Sequence, residues 1–155
     1  QLLSAEESLT RASRLIMHAS DETMNDTHSL LVGYLLWIFG FLGAHRFYFG
    51  RPVSGTVYLF TFGLLGIGWL VDLFLMPSLE RQADSSYAVG AINYTVTWVL
   101  LVFLGPLGLH RFYLGKPWTG LLFLLTCGIF LIGVIYDWWT VNEQISRENM
   151  LYRNQ

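Results

Sequence analysis

The chain has 155 residues and a formal net charge of -2; it is 54% hydrophobic, 16% aromatic and only 13% charged, with a mean hydropathy of +0.46. A soluble domain carries about 25% charged residues, so there are too few charges here to coat a soluble surface, and the balance points to a membrane protein. The absence of a Lys/Arg block argues against nucleic acid as a partner, and the single cysteine, Cys127, excludes an intrachain disulfide and a zinc-type cysteine cluster.

The chain opens on Gln1, which fits a processed form, a fragment or a chain shown without its start. Residues 1–28 are polar and mixed in charge. Ser4 and Glu7 have the spacing of a capping box. Leu9, Ala12, Ile16 and Ala19 recur at helical intervals, so a short amphipathic helix is expected over about residues 5–19. Four apolar runs follow, at 30–44, 53–76, 91–109 and 118–141, and the only charges in them are Asp72 and Asp137. A bilayer core takes roughly 20 apolar helical residues. The runs therefore predict four transmembrane helices, with several of the six tryptophans placed near helix ends as interfacial anchors.

Offset by 65 residues, the chain matches itself. Over 40–72 against 105–137 there are 16 identities in 33 positions without a gap, where chance gives roughly two. "HRFYFG" at 45–50 becomes "HRFYLG" at 110–115. Gly40 meets Gly105, Pro52 meets Pro117, and Asp72 meets Asp137. The repeated unit reads as helix, short hairpin loop, helix. With four spans, both loops lie on one side of the membrane, and the termini and the 78–90 segment lie on the other, so the repeat is parallel. Each loop carries two cations and no acid, Arg46 with Arg51 and Arg111 with Lys116, which places the loops on the cytoplasmic or matrix-equivalent side.

Within each loop, Gly50 and Gly115 permit a tight turn, and Pro52 and Pro117 suit the first turn of the next helix. The arginines suit helix-end carbonyls or lipid phosphates. Phe47, Tyr48, Phe112 and Tyr113 sit where an aromatic belt is expected. A turn-and-anchor role accounts for the loop, with contact to lipid headgroups or a partner as an added role for His45, Arg46, Phe47, Tyr48, Arg51, His110, Arg111, Phe112, Tyr113 and Lys116. Asp72 lies about 28 Å along its helix from the hairpin, so it and Asp137 are expected near the opposite interface, away from the arginines. An ionisable residue in a span raises a functional hypothesis: a proton or cation path, against simple hydrogen bonding to residues such as Thr27, His28, Ser29, Asn93, Thr95 and Thr97. The repeated glycines are expected to pack helices closely.

No nucleotide-binding fingerprint, nucleophile elbow or zinc-protease motif occurs. His45 and His110 are two potential metal ligands without a third. Asn25 and Asn93 begin glycosylation sequons set against predicted spans.

"GFLGAHRFYFGRPVSG" with its later T-x-G and Asp72, and "GPLGLHRFYLGKPWTG" with Asp137, both resemble the TM-two domain family, over about 30–76 and 93–141. That resemblance implies an integral membrane protein of paired helices and supplies a fold more than an activity. Eukaryotic members carry a D-R-F-like loop motif that has been compared with receptor sequences; here His45 and His110 precede the arginines.

The expected organisation is an N-terminal arm at 1–28, a first transmembrane hairpin at 29–77, a connecting loop at 78–90, a second hairpin at 91–141 and a polar tail at 142–155. The expected class is an all-α integral membrane protein. The expected function is a non-catalytic accessory or structural subunit without cofactor or metal. Its partners are other membrane proteins and lipids, in an energy-converting complex such as those of the mitochondrial inner membrane. The alternatives are a small proton or cation transporter using Asp72 and Asp137, and a receptor-like signalling protein.

Overall fold

A computed structural model describes residues 2–38 and 42–154, with side chains described outside 2–5, 18–25 and Ile129. Gly40 and the side chains of Ser4, His18, Ala19 and Asn25 therefore lie outside the described residues. The described residues are overwhelmingly helical and contain no strand. Helix α1 runs over Leu2–Asn25, longer than the expected 5–19, so Ser4 falls inside the first turn and not before it. Leu9, Leu15, Ile16 and Met17 stand exposed along it.

The first unit comprises α2 (Leu30–Ile38), α3 (Ala44–Tyr48), α4 (Pro52–Leu65) and α5 (Ile67–Ser86). The second comprises α6 (Tyr94–Leu104), a 3₁₀ turn (Gly105–Leu107), α7 (Leu109–Tyr113), α8 (Pro117–Phe130) and α9 (Ile132–Arg153). Pro52 and Pro117 each open a helix, as their fixed φ and missing N–H favour. Gly50 and Gly115 take positive φ in the turn just before.

The expected uninterrupted helices at 53–76 and 118–141 are each broken in the middle. Phe62, Gly63, Leu64, Leu65 and Gly66 all have positive φ, and so do Cys127, Gly128, Phe130 and Leu131. The chain reverses there. Arg46 Nη2 donates to Tyr58 Oη at 3.0 Å and also to Asp72. Fourteen residues of continuous helix would hold positions 58 and 72 about 21 Å apart. Among the described residues no helix is both long and apolar enough to cross a membrane.

Each unit is thus a stack of short antiparallel pieces. Trp37 and Trp69 join α2 to α5: their rings stack at 4.3 Å, and each indole N–H donates to the other's carbonyl, at 2.7 and 2.9 Å. Val102 and Val134 hold those places in the second unit. The core runs through both units, from Leu36, Phe47, Tyr48 and Met76 to Trp98, Leu101, Val141 and Ile145. The glycine expectation is met in part by ring packing: a Cβ at Gly55 would lie 2.7 Å from the Phe47 ring, and one at Gly120 would lie 2.8 Å from the Phe112 ring.

Candidate functional site

The reversal carries each span aspartate back to the loop of its own unit. Asp72 is fully buried on α5 and meets α3. Its carboxylate accepts from His45 Nε2 at 2.7 Å and from Arg46 Nε at 2.7 Å, and Arg46 Nη2 donates to its other oxygen. The second unit repeats the arrangement. Asp137 accepts from His110 Nε2 at 2.7 Å, from Arg111 Nε at 2.8 Å and from Arg111 Nη2 at 2.6 Å. This overturns the expectation that the aspartates lie near an opposite interface, far from the arginines. The expectation assumed an unbroken helix, and the helix turns back instead.

The chemistry of the cluster is that of a closed ion pair. A guanidinium fork matches a carboxylate bidentately, and the histidine fills a further lone pair. An ionised carboxylate only accepts, so Nε2 of His45 and of His110 carries the hydrogen. Each guanidinium also lies over a ring: Arg46 sits 4.1 Å from the centroid of Tyr58, and Arg111 sits 4.0 Å from that of Phe123. Tyr58 and Phe123 are again 65 residues apart, and the first unit adds the Tyr58 hydroxyl as an acceptor.

The other loop residues divide by unit. Phe47 and Tyr48 are 2% and 0% exposed, while Phe112 and Tyr113 are 40% and 39% exposed. The difference arises because the second unit covers the first loop. Asn142 of α9 donates to the carbonyls of Phe47 and Tyr48, at 3.2 and 2.8 Å, and accepts from Trp98 Nε1 at 2.6 Å. Phe47 also meets Trp138 edge-on. Arg51 hydrogen-bonds Gln82, and Lys116 Nζ donates to Gln144 at 2.9 Å with Glu148 at 3.8 Å. His45 and His110 are held in separate clusters, and among the described residues no group of three metal-ligating side chains occurs.

Sidedness changes with this geometry. Tyr48 Oη accepts from the Ser29 N–H at 2.7 Å, Arg51 reaches Gln82, and Tyr113 Oη accepts from the Asn93 N–H at 3.2 Å. The hairpin loops and the 78–90 segment therefore share one end of the molecule. The expectation that put them on opposite membrane sides is corrected, and with it the loop-against-loop basic-residue contrast.

The same end holds residues that the sequence reading passed over. Asp84 Oδ1 accepts from the N–H groups of Thr27 and His28, both at 2.9 Å, and from Thr27 Oγ1 at 2.8 Å. Asn149, 65 residues on, accepts from the Ile92 N–H at 2.8 Å, and Ile92 is the counterpart of Thr27. The structural repeat thus runs beyond the identical core. Extending the offset outward shows the Asp84–Asn149 pair. The His–Arg–Asp cluster also left a signal, because both copies retain opposite charges in an otherwise uncharged setting.

Family comparisons agree with this duplication. The TM2 domain model matches twice, over residues 26–74 and 91–139, together more than half of the chain. A TM2 domain-containing protein of Dictyostelium discoideum is 42% identical over 90 residues, covering 57% of this chain and 54% of that protein. A second from the same organism is 65% identical over 55 residues, covering 35% and 40%. Human TM2 domain-containing protein 1 is 44% identical over 57 residues, covering 37% and 28%. The chain thus spans about half the length of the first of these relatives, and less of the others. No solved structure matches. With two matched units that share one buried His–Arg–Asp arrangement, the chain belongs to the TM2 domain family of membrane proteins.

Proposed function

We propose that the chain is a non-catalytic membrane subunit, in which each TM2 unit is a rigid hairpin that packs against other membrane proteins and lipids. One observation carries this reading. The chemistry-bearing side chains of both units are spent on internal bonds, while the outside presents Phe60, Leu65, Phe74, Trp118 and Phe130. An apolar exterior of this kind marks contact with lipid or protein.

The transporter reading needs carboxylates free to load and release a cation, and both are engaged by an arginine and a histidine. Replacing Asp72 and Asp137 with Asn leaves liposome flux unchanged or absent on the subunit reading, and abolishes it on the transporter reading. The receptor-like reading needs loop arginines open to a soluble partner, whereas Arg46 and Arg111 face their aspartates. The mitochondrial inner membrane is carried forward only as a location for fractionation to check.

Native electrophoresis of membranes in mild detergent, with mass spectrometry of co-migrating chains, tests the proposal. A defined band far above 17.7 kDa with constant partners supports it. Migration alone overturns it.

A further inference from the structure

We propose that both units enter the membrane from one face and turn back inside it, so that neither helical hairpin crosses the bilayer. This rests on the family's membrane character and the geometry of the fold, and is independent of the subunit reading.

Three observations carry it. First, the two halves of each apolar run are antiparallel. Arg46 bridges Tyr58 and Asp72 in the first unit, and in the second a Cβ at Gly133 would lie 2.6 Å from the Phe123 ring. Second, the turns are the most apolar ends of the molecule. Phe62, Leu64, Leu65 and Ile67 project from one, and Phe130, Leu131 and Ile132 from the other, all exposed. Third, the opposite end is polar and continuous. It gathers the loop turns at Gly50 and Gly115, the Asp84 and Asn149 clamps, and two open grooves. The grooves, of about 670 and 390 Å³, are lined by Arg46, Arg51 and Gln82 in one unit and by Arg111, Lys116 and Arg147 in the other. Arg51 and Lys116 suit anionic headgroups at that level.

The depth fits partial insertion. From the turn to the first polar positions, residues 67–79 rise about 20 Å and residues 132–141 about 15 Å, against a hydrocarbon core of about 30 Å. The backbone at each turn is shielded by its own apolar side chains and by the neighbouring helices. Non-helical backbone at membrane depth requires that cover. The occupant of the apolar surface is therefore the acyl region entered from one leaflet, and the polar end marks that leaflet's headgroups.

Labelling with a membrane-impermeant maleimide tests this in sealed vesicles of uniform orientation, using the full chain. In the unaltered protein Cys127, exposed beside the second turn, is expected to stay unlabelled from either face and to react after detergent is added. In a Cys127→Ser background, single cysteines are placed at the exposed positions Arg51, Ser85, Leu65 and Leu131. Arg51→Cys and Ser85→Cys should label from the same face, and Leu65→Cys and Leu131→Cys from neither. Labelling of positions 51 and 85 from opposite faces restores four spans and overturns the proposal. So does labelling of either turn, or of Cys127 in the unaltered chain, from any face before detergent.

Discussion

At the scale of single residues, the fold depends on charges that have no water to return to. Asp137 offsets Arg111 inside the second unit, and removing one partner of a buried pair leaves the other uncompensated. Asp137→Asn is expected to cost about 3–5 kcal/mol. Replacing Arg111 and Asp137 together by leucine should cost less, because no lone charge remains. Thermal unfolding in detergent checks the order; a single variant that melts with the parent protein would refute the role of the pair. His28 gives a separate pH dependence. Its ring is packed among Tyr48, Tyr87 and Tyr94, and burial pushes its pKa down from 6.5 to about 4, against the pull of Asp84. Thr27 Oγ1 donates to Asp84, so His28 Nδ1–H donates to Thr27, and Nε2 has no hydrogen-bond partner among the described residues. Protonation would add a donor there with nothing to accept it. The unfolded chain takes the proton first, so this contribution is complete above about pH 6.5 and is lost as pH falls toward 4, by about 3 kcal/mol in all. A His28→Phe variant should flatten that slope in denaturant titrations between pH 4 and 7; an unchanged slope assigns the effect elsewhere.

At the scale of elements, the decisive feature is the turn in the middle of each long apolar run. The sequence made the repeat, the loop chemistry and the helix starts at Pro52 and Pro117 readable, because those rest on local residue types. The turn was not readable. Glycine marked only part of it, and Phe62, Leu64, Leu65, Phe130 and Leu131 carry no turn preference. Hydrophobic length alone therefore suggested a continuous span. What bends the chain is tertiary: the arginine–aspartate pair holds the two halves side by side, and that closure outweighs local preference. A left-handed non-glycine residue costs roughly 1–2 kcal/mol. Leu131 has φ 68° where its counterpart Gly66 has φ 84°, so the second unit bears strain that the first relieves. Leu131→Gly should stabilise the chain by about 1 kcal/mol, read as a higher melting temperature in the same detergent. A lower one would mean that the leucine side chain does more than its backbone conformation costs.

At the scale of the whole molecule, duplication has produced two units in unequal positions. The first loop is roofed by the second unit, and the second loop has no third unit to cover it. Asn142 makes the junction specific: one amide joins Trp98 of α6 to the loop carbonyls of Phe47 and Tyr48. Its counterpart in the first unit is Pro77, which has no side-chain donor, so the contact runs one way only. The His–Arg–Asp clusters, by contrast, lie wholly within their units. A lesion at Asn142 should therefore loosen the joint and leave each unit closed. Asn142→Leu strands the Trp98 N–H and deprives two buried carbonyls of a donor, which corresponds to about 3 kcal/mol if only part of the loss is recovered. Hydrogen exchange read by mass spectrometry should then show faster exchange over residues 45–51, with protection near Asp137 unchanged. If protection fell equally in both units, the two would unfold as one body, and the junction would be as integral to the fold as either cluster. If it fell in neither, apolar packing of Phe47, Trp98 and Trp138 alone would hold the units together, and the asparagine would set only their register.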